Sequence, residues 1–314
     1  MKRFFQFLLG LILIMFVGGV YLAVSGSFFT LMQEPEKKLT GDSILVLRVN
    51  GVILNSERVL KQIKKYAYDD KVKAIVVRIN SPGGVVGSSQ EYYNELKRLR
   101  LKTKKPVVVS CADLAASGAY YTAVAGDKIF VNAGTLMGSI GVIMEFANLS
   151  GLYDWAKIKR YVIKTGAYKD SGAEYRPMRD DEQKYFQTLI DEVHMQFKKA
   201  VAEGRHLPLE KVEPYADGRV FNGETAVKLG FADEIGTFQD AIDYATTAGN
   251  IKGKPEIFEP PKWRENFLQL FMEQDEDQYE GKAFGKIFKS VFKPDLLGRP
   301  LFLMPGVLEG SAQW

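Results

Sequence analysis

The chain has 314 residues, 46% of them hydrophobic and 25% charged, which is the balance of a globular protein with room for one large domain or two modest ones. A net charge of +4, with no basic run interleaved by aromatics, argues against nucleic acid as a partner. The single cysteine, Cys111, excludes an internal disulfide, and two histidines without CxxC or HExxH spacing give no reason to expect a metal or other cofactor.

The amino terminus opens with the positive Met1-Lys2-Arg3, and no charged residue follows between Phe4 and Gln33. Residues 4–24 as a helix would reach about 30 Å at ~1.5 Å per residue, enough for the hydrocarbon core of a bilayer. The reading is a single membrane anchor, with residues 1–3 cytoplasmic and the remainder outside by the positive-inside rule. A cleaved signal ending near Ala23 or Ser25 is the alternative. Residues 25–42 then form a stalk that includes Glu34-Pro35-Glu36-Lys37-Lys38.

From Ser43 the pattern alternates. Strands are predicted at 43–49, 74–79, 106–110 and 128–131, and helices at 56–68, 88–99 and 117–124. Strands alternating with helices predict an α/β core with a mainly parallel sheet. A further strand is predicted near 160–163 and a long helix over 180–203, with Tyr185, Leu189, Val193 and Phe197 along one face. Asn222 caps a short helix that stops at Gly230, and another helix covers 237–248. The core domain is set at 43–250 and a carboxy-terminal extension at 251–314. That extension holds an acidic run at 273–277, a basic amphipathic stretch at 284–292, and the patch Leu301-Phe302-Leu303-Met304-Pro305, too short to return to a membrane. It reads as a docking segment or as a disordered end.

Chemistry concentrates at two glycine loops. Asn80-Ser81-Pro82-Gly83-Gly84 follows one strand, and Ser117-Gly118 follows the next, at a helix start. Ligands of parallel α/β sheets bind at such carboxyl ends. The amides of Gly84 and Gly118 are placed to converge on the charge of a tetrahedral intermediate. Ser117 is the candidate nucleophile, with helix capping as its ordinary role. A serine needs a base, and with histidine scarce the candidate is Lys169, whose ordinary role would be a solvated surface charge. A lysine serves as base only when neutral, which burial favours. Ser139 is placed to hold the neutral amine. Lys164 is a rival base at a strand end. Lys164-Thr165-Gly166 also echoes a KTG motif, but the one SxxK, Ser290 to Lys293, lies after it, reversing the usual order. An extended peptide is expected to add as a strand along Met137, Gly138, Ile140, Gly141 and Val142.

Taken together, the 80–84 loop, Ala116-Ser117-Gly118, Gly138-Ser139-Ile140-Gly141-Val142, the 164–170 run and Ala216-Asp217-Gly218-Arg219-Val220 resemble the short bacterial form of signal peptide peptidase A, over about residues 45–248. The resemblance implies the Clp protease/crotonase fold. It implies a serine–lysine dyad of Ser117 and Lys169, with Ser139 beside the lysine and Gly84 as an oxyanion donor. It also implies a membrane-bound ring of eight subunits facing the extracytoplasmic space and degrading remnant signal peptides, with the dyad shared between neighbours. The histidine base of Clp protease, expected within about 25 residues after Ser117, is missing. The alternatives carried are a non-catalytic membrane scaffold of the same ring fold and a crotonase-like acyl-CoA enzyme.

Overall fold

A computed structural model describes residues 39–261 and 299–304, with Gly18 alone before them. The expected anchor at 4–24, the acidic run at 273–277 and the basic stretch at 284–292 lie outside the described residues. Among the described residues no helix is long and apolar enough to cross a membrane. The described end of the expected stalk is tied down, since the amides of Thr40 and Gly41 donate to the Glu256 carboxylate.

The strands are β1 (Ser43–Asn50), β2 (Val72–Ser81), β3 (Gly83–Val85), β4 (Val107–Ala116), β5 (Lys128–Val131), β6 (Leu136–Gly138), β7 (Val220–Asn222), β8 (Glu234–Ile235), β9 (Glu256–Phe258) and β10 (Leu301–Leu303). The α-helices are α1 (Glu57–Gln62), which runs on as a π-helix over Ile63–Ala67, α2 (Val86–Thr103), α3 (Gly118–Ala123), α4 (Ser150–Trp155), α5 (Asp180–Arg205), α6 (Leu209–Val212), α7 (Gly223–Leu229) and α8 (Phe238–Ala248).

The main sheet runs β7-β6-β4-β2-β1-β9, and β5 joins β4 to β8. Its pairs are parallel except β6 with β7. The apolar runs of β1 and β2 are continuous because both faces are covered. Leu45, Leu47 and Val49 face one core with Ile75, Val77 and Ile79. The intervening Ile44, Val46, Ala74 and Val76 face the other, under Ala241, Ile242 and Ala245 of α8. The larger core is closed by Leu96 and Leu99 of α2, Ala119 and Tyr120 of α3, and Phe197 and Val201 of α5. Each fully buried Leu, Ile or Val contributes about 1.5–3 kcal/mol, so this sheet is the rigid base of the molecule.

Strand β4 is shared. On one edge it pairs with β2; on the other, Val108–Ser110 pair with β5 and Leu114–Ala116 pair with β6. Its last residue, Ala116, therefore emerges between two neighbours, with Ser117 next. The strands β9 and β10 lie beyond the boundary expected at 250, and they belong to the same packed unit. The strand expected near 160–163 does not form. Tyr161 and Ile163 stand free of the protein, 86% and 103% exposed, and a strand without a paired edge has no ladder to join. Residues 156–179 carry no helix or strand at all.

Candidate active site

Ser117 bridges β4 and α3 with φ 54° and ψ −120°, a backbone conformation that costs a side-chain-bearing residue about 1–3 kcal/mol. The turn is fixed from both sides: the Ser117 amide donates to the Gly138 carbonyl at 2.8 Å, and the Tyr121 amide donates to the Ser117 carbonyl at 2.8 Å. The side chain makes no capping bond to α3. It is wholly buried, and its Oγ has no hydrogen-bond partner. A buried polar atom left unpaired costs about 1–3 kcal/mol. Two stability costs thus fall on one small residue, and its ordinary use as a helix cap does not explain them.

The two glycine loops meet beside it. Gly83 has φ 97°, which favours glycine, and its amide donates to Ser81 Oγ at 3.1 Å. A Cβ on Gly83 would lie 2.6 Å from the Gly118 nitrogen, and a Cβ on Gly118 would lie 3.2 Å from the Gly84 nitrogen. Only hydrogen fits there, so the backbone of the 83–84 loop and that of Gly118 sit against each other without side chains between them.

The expected peptide-binding run is narrowed by its neighbours. Met137 and Gly138 lie in β6, flanked by β4 on one side and β7 on the other. Ser139 donates its amide to the Arg219 carbonyl, and Ile140 accepts from the Gly218 amide. The β7 side is therefore occupied through Ile140. β4 ends opposite Gly138, so it does not cover the stretch past Gly138; there Ile143 pairs instead with Leu301 of β10. Ser139 is buried and also has positive φ, 51°. Ile140 and Met137 point into the core.

Lys169 lies in the irregular segment 156–179 and makes no hydrogen bond to Ser117 Oγ. It is exposed, and among the described residues its side chain has no hydrogen-bond or ionic partner. The protomer alone therefore does not supply the desolvation expected of a lysine base. Lys164, the rival, is engaged: its Nζ is paired with Asp170 Oδ1 and donates to the Ala167 carbonyl at 3.2 Å. Asp170 is the anchor of this loop. It accepts from Arg176 and Tyr175 as well, and those bonds, Arg176 first and Lys164 next, hold its carboxyl well below the usual range. Arg176 in turn forks onto Glu182 at 2.6 and 2.9 Å, and Glu182 is fully buried at the start of α5. The Arg176 hydrogen bonds keep the Glu182 carboxyl down at about 2. The lysine is thus free at its tip but fixed at its neighbour.

The surroundings of two further residues account for them without catalysis. Cys111 is buried in the core, where burial pushes its thiol up to about 12, so it is inert at neutral pH. His206 ends α5 in the left-handed conformation. Sequence reasoning missed the Arg176–Glu182 pair, whose two members lie six residues apart across an irregular segment. It also missed the strand pairing of residues 301–303, although the apolar patch itself was visible.

Comparison with known proteins agrees with this architecture. Residues 99–252 match the model of peptidase family S49, and residues 32–137 match that of Clp protease. A protein of Synechocystis sp. provisionally named a protease is 41% identical over 236 residues, covering 74% of this chain and 84% of that protein. A protein of Enterococcus faecium provisionally named signal peptide peptidase SppA is 34% identical, over 66% of this chain and 64% of its own length. The chloroplastic serine protease SPPA of Arabidopsis thaliana is 34% identical, over 68% of this chain and 34% of its own length.

Proposed function

The chain belongs to peptidase family S49 and is a serine peptidase, similar to signal peptide peptidase A, and from that premise we propose that it is a membrane-anchored endopeptidase acting through Ser117 and Lys169. The observation that carries the reading is the Ser117 hydroxyl: buried, unpartnered, held on a strained turn, and flanked by two glycine backbones. In the reaction Ser117 Oγ attacks the scissile carbonyl, and the neutral Lys169 amine takes the hydroxyl proton and passes it to the leaving nitrogen. The Gly84 and Gly118 amides receive the developing oxyanion. Water then repeats the sequence on the acyl-enzyme.

The base comes from a neighbouring copy in this proposal. Lys169 rides on an arm whose Trp155, Tyr161 and Ile163 are 80%, 86% and 103% exposed. An apolar arm left in water is a surface seeking a partner. Docking against the serine face of a second protomer would cover those side chains, strip water from the lysine and depress its pKa. A ring of eight such protomers, attached by residues 4–24 and facing the extracytoplasmic space, would meet its substrates at the membrane: remnant signal peptides and other envelope peptides. The anchoring and the substrate class rest on the amino-terminal pattern and on the likeness to the named relatives.

The test uses peptide hydrolysis and a fluorophosphonate label. Ser117→Ala and Lys169→Ala should each lower kcat by at least ~1000-fold, as removal of a nucleophile or its base does, with assembly unchanged by sedimentation. The label should attach to Ser117. Full turnover in either variant rejects the assignment.

A further inference from the structure

One peptide group beside the nucleophile is held from two sides. The Gly138 carbonyl accepts the Ser117 amide at 2.8 Å, and the Ser139 amide donates to the Arg219 carbonyl at 2.8 Å. The carbonyl and amide of a trans peptide point in opposite directions, so the Gly138–Ser139 unit spans from the serine turn to the 217–219 turn. The residues on either side of that peptide are both left-handed, Gly138 with φ 91° and Ser139 with φ 51°. A residue with a side chain disfavours that conformation, so Ser139 depends on its outer contacts to keep it. The 217–219 turn supplies a second bond, from the Gly218 amide to the Ile140 carbonyl at 3.2 Å. It also packs closely, since a Cβ on Gly141 would lie 3.2 Å from Gly218 Cα.

The turn itself is held by Asp217. Its carboxylate accepts the Arg219 amide at 3.1 Å, Arg219 Nε at 2.8 and 2.9 Å, and Arg219 Nη2 at 2.6 Å. Those bonds, the side chain's first and the amide's next, hold the Asp217 carboxyl at about 2, so it is ionised at neutral pH. Both side chains are more than half exposed, and an exposed ion pair contributes little to global stability. What the pair fixes is the backbone between its members. An aspartate that accepts the amide two residues on closes a tight turn, and Gly218 supplies the positive φ, 87°, at its centre.

We propose that Asp217 is a positioning residue for the reaction: its carboxylate closes the 217–219 turn, the turn orients the Gly138–Ser139 peptide, and that peptide seats Ser117. In this role Asp217 touches neither substrate nor the reacting atoms. Misplacing a reacting group by about 1 Å costs on the order of 100-fold in rate, so loosening the turn acts on the step in which Ser117 attacks. The inference rests on Ser117 being the nucleophile, and on neither the identity of the base nor the membrane anchor.

The test is the rate at which a fluorophosphonate labels Ser117 in the assembled full chain, beside kcat and KM for peptide hydrolysis. Asp217→Ala should slow labelling and lower kcat at least ~10-fold, with KM changed less than ~2-fold and sedimentation unaltered. Asp217→Asn keeps an oxygen for the Arg219 amide and should recover most of that rate. Gly218→Ala is the second variant should Asp217→Ala fail to fold. Its added Cβ meets nothing within 4 Å but strains the left-handed turn, and it should slow labelling in the same way. A labelling rate equal to that of the unaltered chain overturns the proposal. So does a smaller labelled fraction at an unchanged rate, which marks lost folding only. Loss of assembly overturns it too, because the turn would then be a subunit contact. No labelling of Ser117 in the unaltered chain would reject the serine reading, and this inference with it.

Discussion

Ser117 and Lys169 lie in opposite kinds of structure. The serine sits at the end of β4, inside a sheet buried on both faces, where its backbone is bonded in from Gly138 and Tyr121. The lysine sits on an irregular arm that turns its aromatic and aliphatic side chains to water. The first region is complete within one chain. The second is held in shape locally, by Asp170, Arg176 and Glu182, while its Tyr161 and Ile163 side chains stand in water. On the proposed reading, the nucleophile is positioned by folding alone, while a base that works only when dehydrated is left for assembly to finish.

The same substitution in the two regions should break the comparison if it is wrong. Ile79 is fully buried in β2, and Ile79→Ala should cost about 2–5 kcal/mol in denaturant unfolding of the dissociated protomer. Ile163→Ala under those conditions should stay within about 0.5 kcal/mol, as exposed sites do. Ile163→Asp should leave that protomer equally stable yet weaken self-association by sedimentation and lower peptide hydrolysis with it. A large protomer cost at Ile163, or unchanged association in Ile163→Asp, would mean that the arm is not a docking surface.

Acid sharpens the comparison on the lysine side. The Glu182 carboxyl lies near 2 when folded, against an ordinary value of 4.5. Its folded value is the lower one, so the stability it adds is fully present above about pH 4.5 and drains away as the pH falls toward 2. Arg176 then loses its buried partner, and the loop after Lys169 loosens. Hydrogen exchange of residues 170–182 should rise over that window before exchange of β2 and β4 does. Glu182→Gln should produce the same early loosening at neutral pH, with hydrolysis down about 10–100-fold through misplacement of the lysine. Simultaneous loss of protection in both regions would show that the arm has no separate stability.

The two regions also differ in how far they could be read in advance. Buried parallel strands announce themselves, and β1, β2 and β5 fall where the apolar runs lie; helix ends at Asn222, Gly230 and Thr237 carry their capping chemistry openly. The glycine loops could be placed at strand ends because proline and paired glycines mark a turn. Three-residue strands could not be read. β6, β7, β9 and β10 are each too short to show a period, and they exist because a longer strand offers them an edge. The strand expected at 160–163 failed for the converse reason: the pattern was there and no partner edge was. Likewise Leu301-Phe302-Leu303 was visible as an apolar patch, but pairing with Gly83–Val85 across more than two hundred residues of chain is a tertiary event. The sequence points to Lys169 as base with Lys164 as its rival at a strand end; the Asp170 contact that occupies Lys164 depends on a loop whose path no periodicity encodes.

The smallest expected effect separates strain with a purpose from strain without one. His206 and Ser117 share positive φ, 52° and 54°. At His206 the conformation only ends α5: the Leu207 amide donates back to the Ala202 carbonyl at 2.9 Å, as in a glycine-terminated helix. His206→Gly should therefore stabilise the protein by about 0.5–1 kcal/mol, the relief of a left-handed residue less the added freedom of the unfolded chain. Hydrolysis should not change. Ser117→Gly relieves the same kind of strain and also removes an unpaired buried hydroxyl, so it too should raise the denaturation midpoint, while abolishing hydrolysis. Opposite outcomes for activity with the same sign for stability would mark Ser117 as a site where the fold accepts a cost for its chemistry. If Ser117→Gly lowers stability, the hydroxyl is holding the turn together, and its burial needs no catalytic explanation.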